Sequence, residues 1–267
     1  MMKRHRSFKK RGVRLGQHLL INSGIAHAVA VAAEVKKNDR VLEIGPGTGM
    51  LTHELLTLGA RVTAVEKDPA MVAALRERFA EEIKVKALRL LEGDARTVTP
   101  DSVFPKGAYR VAANIPYYIT GELVRACITA KNQPVTLAFL VQKEVAERIA
   151  RSTKESILSL SVKAYGEPHY VKTVSRGSFS PPPSVDSAIL AIRGISRANI
   201  RGISEQKFFA VIKAAFAQKR KMLISNLSRF GTKERLLDAF ARIDIDPRAR
   251  AEDIPLKKWV ELTGMLT

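Results

Sequence analysis

The sequence predicts an α/β protein in which a mainly parallel sheet covered by helices is followed by a small all-helical unit. Three observations carry this. Through residues 15–193, apolar strand-like runs alternate with helix-like stretches, with connections long enough for parallel crossovers. One strand runs directly into Gly45-Pro46-Gly47-Thr48-Gly49 and a helix, and the next strand ends in Glu66. Beyond a polar stretch at 194–202 the chain becomes uniformly helical and basic.

Composition bounds the function. With 267 residues, 46% hydrophobic and 27% charged, the chain is that of a soluble folded protein, with one large domain or a large and a small one. Its formal net charge of +19 attracts polyanions; nucleic acid is the first candidate and an anionic membrane surface the second. A single cysteine, Cys127, excludes an intramolecular disulfide. It lies in a helix-like segment with Leu123, Val124 and Ile128, which suits a small buried hydrophobe rather than a nucleophile. His5, His18, His27, His53 and His169 are scattered without metal-ligand spacing, so no metal is expected. A basic start followed by residues 25–33 loosely mimics a secretory signal, but Gln17, His18, Asn22 and His27 interrupt its apolar core. No run is long enough to span a bilayer. A cytoplasmic enzyme without membrane attachment is expected.

In chain order, residues 1–14 form a basic arm (Lys3, Arg4, Arg6, Lys9, Lys10, Arg11, Arg14) that is either a solvated tail or a contact for phosphates. An apolar helix is expected over 23–34. Arg40-Val41-Leu42-Glu43-Ile44 reads as a strand leading to the glycine turn, with a helix over 50–58, so backbone amides at its start can face a ligand. The spacing is neither the dinucleotide G-x-G-x-x-G nor a phosphate loop. Glu66, ending the strand 61–65 about 20 residues after the turn, suits the two hydroxyls of a ribose. A helix over 68–80 and a strand over 88–92 follow, then Asp94, which is either an acceptor for an adenine amine or a turn-capping aspartate.

The apolar strand 109–113 delivers Asn114-Ile115-Pro116-Tyr117-Tyr118 to the carboxyl edge of the sheet, where open α/β sheets bind ligands. An amide can hold an amino group, proline fixes the backbone, and Tyr117 offers a flat face to a base; a plain strand-to-helix turn is the alternative. Helices are expected over 121–130 and 142–150, and strands over 135–141, 157–164, 170–174 and 187–192. Phe179, before Pro181-Pro182-Pro183, is either a core plug or a second aromatic face at the cleft. The stretch 194–202 reads as a linker. Past it, Phe208, Val211, Ile212, Ala215 and Phe216 make an apolar stripe, Gln218-Lys219-Arg220-Lys221 is basic, and Leu223, Leu227, Leu236, Leu237, Phe240 and Trp259 supply a small core. This unit, 203–267, suits an RNA-gripping module or a lid on the sheet.

Glu43-Ile44-Gly45-Pro46-Gly47-Thr48-Gly49 with Glu66, Asp94 and Asn114 resembles the nucleoside-binding motifs of class I, Rossmann-like S-adenosylmethionine-dependent methyltransferases. Asn-Ile-Pro-Tyr resembles the signature of enzymes that methylate exocyclic amines. Adding Leu15-Gly16-Gln17-His18-Leu19-Leu20, the 179–187 segment, Ala217-Gln218-Lys219-Arg220-Lys221 and Arg250-Ala251-Glu252-Asp253-Ile254 makes the whole chain similar to the KsgA/Dim1 family. These are adenine-N6,N6-dimethyltransferases of small-subunit (16S) ribosomal RNA.

The resemblance implies S-adenosyl-L-methionine over the glycine turn, held by Gln17, His18, Leu20, Gly45, Gly47, Glu66, Lys67, Asp94, Ala95 and Asn114. Asn114, Ile115, Pro116, Tyr117 and Phe179 would receive an adenosine turned out of its stack. Two adjacent adenosines in the 3'-terminal hairpin loop of the small-subunit RNA, free or in an assembling subunit, would be the target, and a monomer is expected. Domains would be the arm 1–14, the catalytic sheet 15–193 and an rRNA-binding helical unit 203–267. His18 and Tyr118 stand where asparagine is frequent in the family; His18 can still hydrogen-bond the methionine end of the donor, and Tyr118 bears on the shape of the base pocket. Erythromycin-resistance methyltransferases, which modify 23S RNA, share the fold and motif, but Pro46, Pro182-Pro183, the run 185–188 and the 250–254 segment favour the small-subunit enzymes. A non-catalytic RNA-binding relative would have lost donor-site residues, whereas Glu66, Asp94 and Asn114 are all present.

Overall fold

Residues 18–266 are described by the computed structural model of the chain. The basic arm and Gln17 lie outside the described residues. The first described element is a two-residue strand, β1 (Leu19–Leu20), followed by α1 (Ser23–Ala32), whose Asn22 N-cap accepts the Ile25 amide. Then come β2 (Arg40–Ile44), α2 (Met50–Thr57), β3 (Arg61–Glu66), α3 (Pro69–Arg78), α4 (Ala80–Lys84), β4 (Leu88–Glu92) and α5 (Pro100–Val103). The middle of the chain gives β5 (Arg110–Asn114), α6 (Thr120–Ile128), β6 (Thr136–Gln142), α7 (Lys143–Ala150) and α8 (Ile157–Tyr165). Three strands, β7 (Glu167–Val174), β8 (Phe179–Ser180) and β9 (Ser187–Arg193), precede the helices α9 (Glu205–Ala215), α10 (Leu223–Asn226), α11 (Lys233–Arg242) and α12 (Leu256–Met265).

Seven strands make one sheet in the order β4-β3-β2-β5-β6-β9-β7. The first five neighbours pair parallel, whereas β9 runs antiparallel to β6, and β7 antiparallel to β9. Chain order reverses direction between β2 and β5, and such a switch point opens a crevice at the carboxyl ends of the strands. The central strands are apolar on both faces because helices cover both. Val111, Ala113, Leu137 and Phe139 pack in one buried cluster and Ala112, Ala138 and Leu140 in the other, the two-residue period of a strand.

The C-terminal helices do not enclose a core of their own. Phe208, Val211, Leu223, Leu236, Phe240 and Trp259 belong to the same buried cluster as Leu137 and Phe139 of the sheet. The stretch expected as a linker is anchored: Ile200 is buried, and the Arg197 guanidinium donates to the carbonyls of Thr129 and Ala130.

One expected strand, 157–164, is a helix. Ser156 and Ser159 form a reciprocal capping box, each hydroxyl accepting the other's amide, at 3.1 and 2.7 Å. The helix is enclosed on most sides, with Leu160, Ser161, Val162, Ala164 and Tyr165 all buried, which removes the 3.6-residue pattern and leaves a false alternation. The expected helix 68–80 breaks at Phe79 into α3 and α4.

Candidate active site

The carboxyl ends of β2, β3, β4 and β5 meet around a cleft of about 1020 Å³ including its open mouth. His18, Leu20, Gly45, Gly47, Glu66, Lys67, Asp94, Ala95, Asn114, Ile115, Pro116 and Tyr117 all line it. The structure thus brings together every described site residue expected from sequence except Phe179.

The glycine turn forms the floor. Gly45 continues the sheet by donating to the Val65 carbonyl at 3.0 Å. Gly47 has φ +56°, a conformation that favours glycine, and a Cβ there would press on Leu19 Cδ2 at 3.0 Å where the turn passes under β1. Glu66 holds this turn to the end of β3. Its Oε1 accepts the Lys67 and Asp68 amides at 2.8 and 2.9 Å, and its Oε2 accepts the Gly47 amide at 3.1 Å. A carboxylate offers about four acceptor sites, so about one remains toward the cleft.

Asp94 is more heavily engaged. Lys67 Nζ donates to its Oδ2 at 2.8 Å, Arg96 Nη2 to the same oxygen at 2.6 Å, and the Arg96 amide to Oδ1 at 3.0 Å. Arg96 first and Lys67 second hold its carboxyl well below the usual carboxylate range.

At the end of β5, Asn114 Nδ2 donates to the His18 carbonyl at 3.0 Å. A carbonyl can only accept, so this bond fixes the amide's orientation and leaves Oδ1 as the free acceptor. Tyr117 is half-buried: its hydroxyl shares a 2.6 Å hydrogen bond with Ser187 Oγ, and its ring lies 5.6 Å from that of His18. Burial pushes the hydroxyl above the ordinary phenol range, so Tyr117 presents a neutral ring. His18 Nδ1 is 2.9 Å from the Pro181 carbonyl and donates to it, tying the first described residue to the proline segment.

Phe179 is the correction. It is 2% exposed, pairs with Leu20 across β1 and β8, and packs with Leu20, Ile25 and Val174 instead of lining the cleft. Residues opposite one another in an antiparallel pair share a face, so Phe179 follows Leu20 into the core. It is the plug, not the second aromatic face.

Sequence reading named Glu43 only as part of the glycine motif, and did not single out Arg96. Glu43 is 1% exposed behind the turn; Thr52 Oγ1 donates to its Oε2 at 2.7 Å, while Oε1 has no partner among the described residues. Burial pushes its carboxyl up to about 8. The legible signal was a glutamate inside an apolar strand. Arg96 also lines the cleft, and its only sequence signal was a cation two places after Asp94. Cys127 is buried with its thiol pushed up to about 12, as its apolar neighbours imply. Among the described residues there is no group of three or more His, Cys, Asp or Glu side chains placed to hold a metal ion, and no helix long and apolar enough to cross a membrane.

Residues 8–267 match the family model described as ribosomal RNA adenine dimethylase. The chain belongs to that family. Among relatives of this dimethylase chain, the ribosomal RNA small subunit methyltransferase A of Dehalococcoides mccartyi is 38% identical, covering 93% of this chain and 86% of the relative. The protein of that name from Fusobacterium nucleatum is 37% identical over 92% and 94%. A dimethyladenosine transferase from Plasmodium falciparum superposes with a TM-score of 0.77 at 28% identity, covering 92% of this chain and 96% of that one. The 23S rRNA methyltransferase ErmE gives 0.73 at 25%, over 93% and 99%. The dimethylase chain therefore has the α/β fold of the class I S-adenosylmethionine-dependent methyltransferases, as its motifs implied.

Proposed function

We infer that this chain transfers methyl groups from S-adenosyl-L-methionine to the N6 amines of two adjacent adenosines in the 3'-terminal hairpin loop of small-subunit ribosomal RNA, acting as a monomer on RNA or an assembling subunit in the cytoplasm. The observation that carries the reading is the orientation of Asn114: its NH2 is tied to the His18 carbonyl, and its oxygen is left for an amine at the mouth of the switch-point cleft. Family membership and relatives named as small-subunit methyltransferases support the target.

The residues present fit the donor. Gly45 and Gly47 put bare backbone on the floor, Glu66 keeps about one acceptor site toward the cleft for a ribose hydroxyl, and the ionised Asp94 would take an adenine amine in exchange for its bond from Lys67 Nζ. His18 and Leu20 would close the cleft from β1, with Lys67 and Ala95 at its edge. When bound, the donor supplies an electrophilic methyl on a sulfonium.

The rest is done by the chain. An adenine N6 is a poor nucleophile because its lone pair is delocalised into the ring. Acceptance of its two hydrogens by Asn114 Oδ1 and the Ile115 carbonyl lets the nitrogen pyramidalise and expose that pair. Pro116 fixes the backbone between these acceptors and Tyr117, whose ring stacks on the purine. Positioning then supplies most of the rate, and the displaced proton leaves to water from the methylated amine. The second transfer needs rotation about the C–N bond to bring the remaining hydrogen to an acceptor. The basic surface, +19 over the chain, attracts the RNA.

Labelled donor mixed with the protein and undermethylated small or large ribosomal subunits tests this, with the products mapped. Dimethyladenosines confined to small-subunit RNA are expected. Label in large-subunit RNA, the reading the ErmE likeness favours, or in neither, would overturn the assignment.

A further inference from the structure

The function proposed above accounts for Tyr117 but not for its neighbour. Tyr118 lines the same cleft yet is 75% exposed, and its hydroxyl has no hydrogen-bond partner among the described residues. The two tyrosines sit in a 3₁₀ turn, Tyr117–Ile119, whose three residues per turn set successive side chains about 120° apart. One ring therefore turns inward to Ser187 and His18 while the next stands in solvent at the mouth. An aromatic ring held in water beside a polyanion-binding cleft is poor packing but a good stacking surface.

Arg96 shares this rim. Its Nε and one Nη2 hydrogen are taken by Asp94, with distances of 2.6 to 3.2 Å. A guanidinium has five N–H donors, so Nη1 and the second Nη2 hydrogen remain to face outward. The Arg96 side chain is 42% exposed and, like Tyr118, lines the cleft.

We propose that Tyr118 and Arg96 form a second nucleotide subsite on the rim of the cleft, Tyr118 stacking on the unpaired base next to the extruded adenosine and Arg96 contacting the adjoining phosphate. This rests on the RNA-methylating reading and adds a specificity element to it. An enzyme that modifies two adjacent bases gains from such a site, because the base outside the pocket is held in place while the other reacts. The recognition chemistry is that of single-stranded RNA: a π-face for any base plus a cation for the backbone.

The test uses the full chain and a small-subunit hairpin RNA, with each base flanking the target replaced in turn by an abasic nucleotide. Hairpin affinity is read by fluorescence anisotropy, and methyl transfer is followed separately. Tyr118→Ala is expected to weaken binding of the intact hairpin by on the order of tenfold, the size of one base–aromatic stack, while Tyr118→Phe binds as the wild type does. On one of the abasic hairpins, the wild type should already bind that much more weakly, and Tyr118→Ala should add nothing. Arg96→Gln should flatten the salt dependence of binding by about 0.7 in log–log slope, the value for one single-strand phosphate contact. Donor affinity of Tyr118→Ala, measured by calorimetry, should match the wild type, confirming the fold. The subsite is overturned if Tyr118→Ala binds the intact hairpin normally or weakens all the RNAs by the same factor. An unchanged salt slope for Arg96→Gln overturns the phosphate contact. Wild-type binding without methyl transfer would overturn the enzymatic reading instead, leaving the affinity comparison to judge the subsite.

Discussion

Replacing Asn114 by alanine removes one amide and leaves the rest of the cleft standing, so its effects separate cleanly. The first loss is the 3.0 Å bond from Nδ2 to the His18 carbonyl. A neutral hydrogen bond contributes about 0.5–1.5 kcal/mol, so the variant should stay folded and melt only a few degrees lower. The second loss is Oδ1 as acceptor for the target N6–H. A single polar group aimed at the reacting centre is worth about 10²–10³ in rate, or about 2.7–4 kcal/mol. Of the groups expected to hold the donor, Glu66, Asp94 and the glycine turn are untouched and only Asn114 with its hold on His18 is lost, so donor Kd should rise by less than about tenfold. Single-turnover methyl transfer at saturating donor measures the first quantity and calorimetry the second. A rate within about threefold of wild type, or a donor Kd increase large enough to explain the whole loss, would refute the role given to the amide.

Other expectations follow from neighbouring groups. Glu43 is pushed up to about 8 by burial from its ordinary 4.5, so between these values the folded chain holds a proton that the unfolded chain has lost. Its contribution to stability is present below pH 4.5 and is lost as pH rises through about 8, at most about 5 kcal/mol over that interval. Urea midpoints at about pH 5 and about pH 9 should therefore differ clearly more for wild type than for Glu43→Gln, and equal differences would contradict the assignment. Tyr117→Ala should weaken hairpin RNA binding by about 1–3 kcal/mol, whereas Tyr117→Phe loses only the Ser187 bond and should bind almost normally. Gly49→Ala places a Cβ at φ +82° and 2.5 Å from Phe79 Cε2, so thermal denaturation should show a loss of about 2–5 kcal/mol; an unshifted melt would contradict the packing.

The catalytic sheet was legible because its central strands are buried on both faces and punctuated by glycine and proline. Arg40-Val41-Leu42-Glu43-Ile44 before the glycine turn, and the 109–113 run before Asn114, could hardly be read otherwise. The helix α8 was illegible because burial on most sides left residues 157–164 no continuous polar face, and its serines close their hydrogen bonds locally, as Ser161 does to the Ile157 carbonyl at 2.6 Å. The core shared by the sheet and the C-terminal helices was likewise invisible, since apolar spacing on α9 and α11 shows which face is buried but not against what.

At the cleft, residue type and position at strand ends brought Glu66, Asp94 and Asn114 forward as candidates, and the family resemblance favoured the binding reading over a cap or a plain turn. What they touch was not legible. That Glu66 clasps the glycine turn through the Gly47 amide while accepting the Lys67 and Asp68 amides beside it, and that Asp94 is held by Arg96 and Lys67, depends on distances no spacing encodes. Phe179 shows the limit most clearly. An aromatic residue before a proline run suits a stacking face and a core plug equally, and only its burial beneath β1 decides for the plug.

The central claim is that an extruded adenosine meets Asn114 across the switch-point cleft. A crystal structure of the protein with S-adenosylhomocysteine and a small-subunit hairpin tests it most directly. The account predicts the target N6 within hydrogen-bond reach of Asn114 Oδ1 and the Ile115 carbonyl, its ring on Tyr117, and the adenosyl group over the glycine turn. An adenosine stacked in the hairpin with Asn114 Oδ1 turned away, or a nucleoside lodged elsewhere on the sheet, would contradict it.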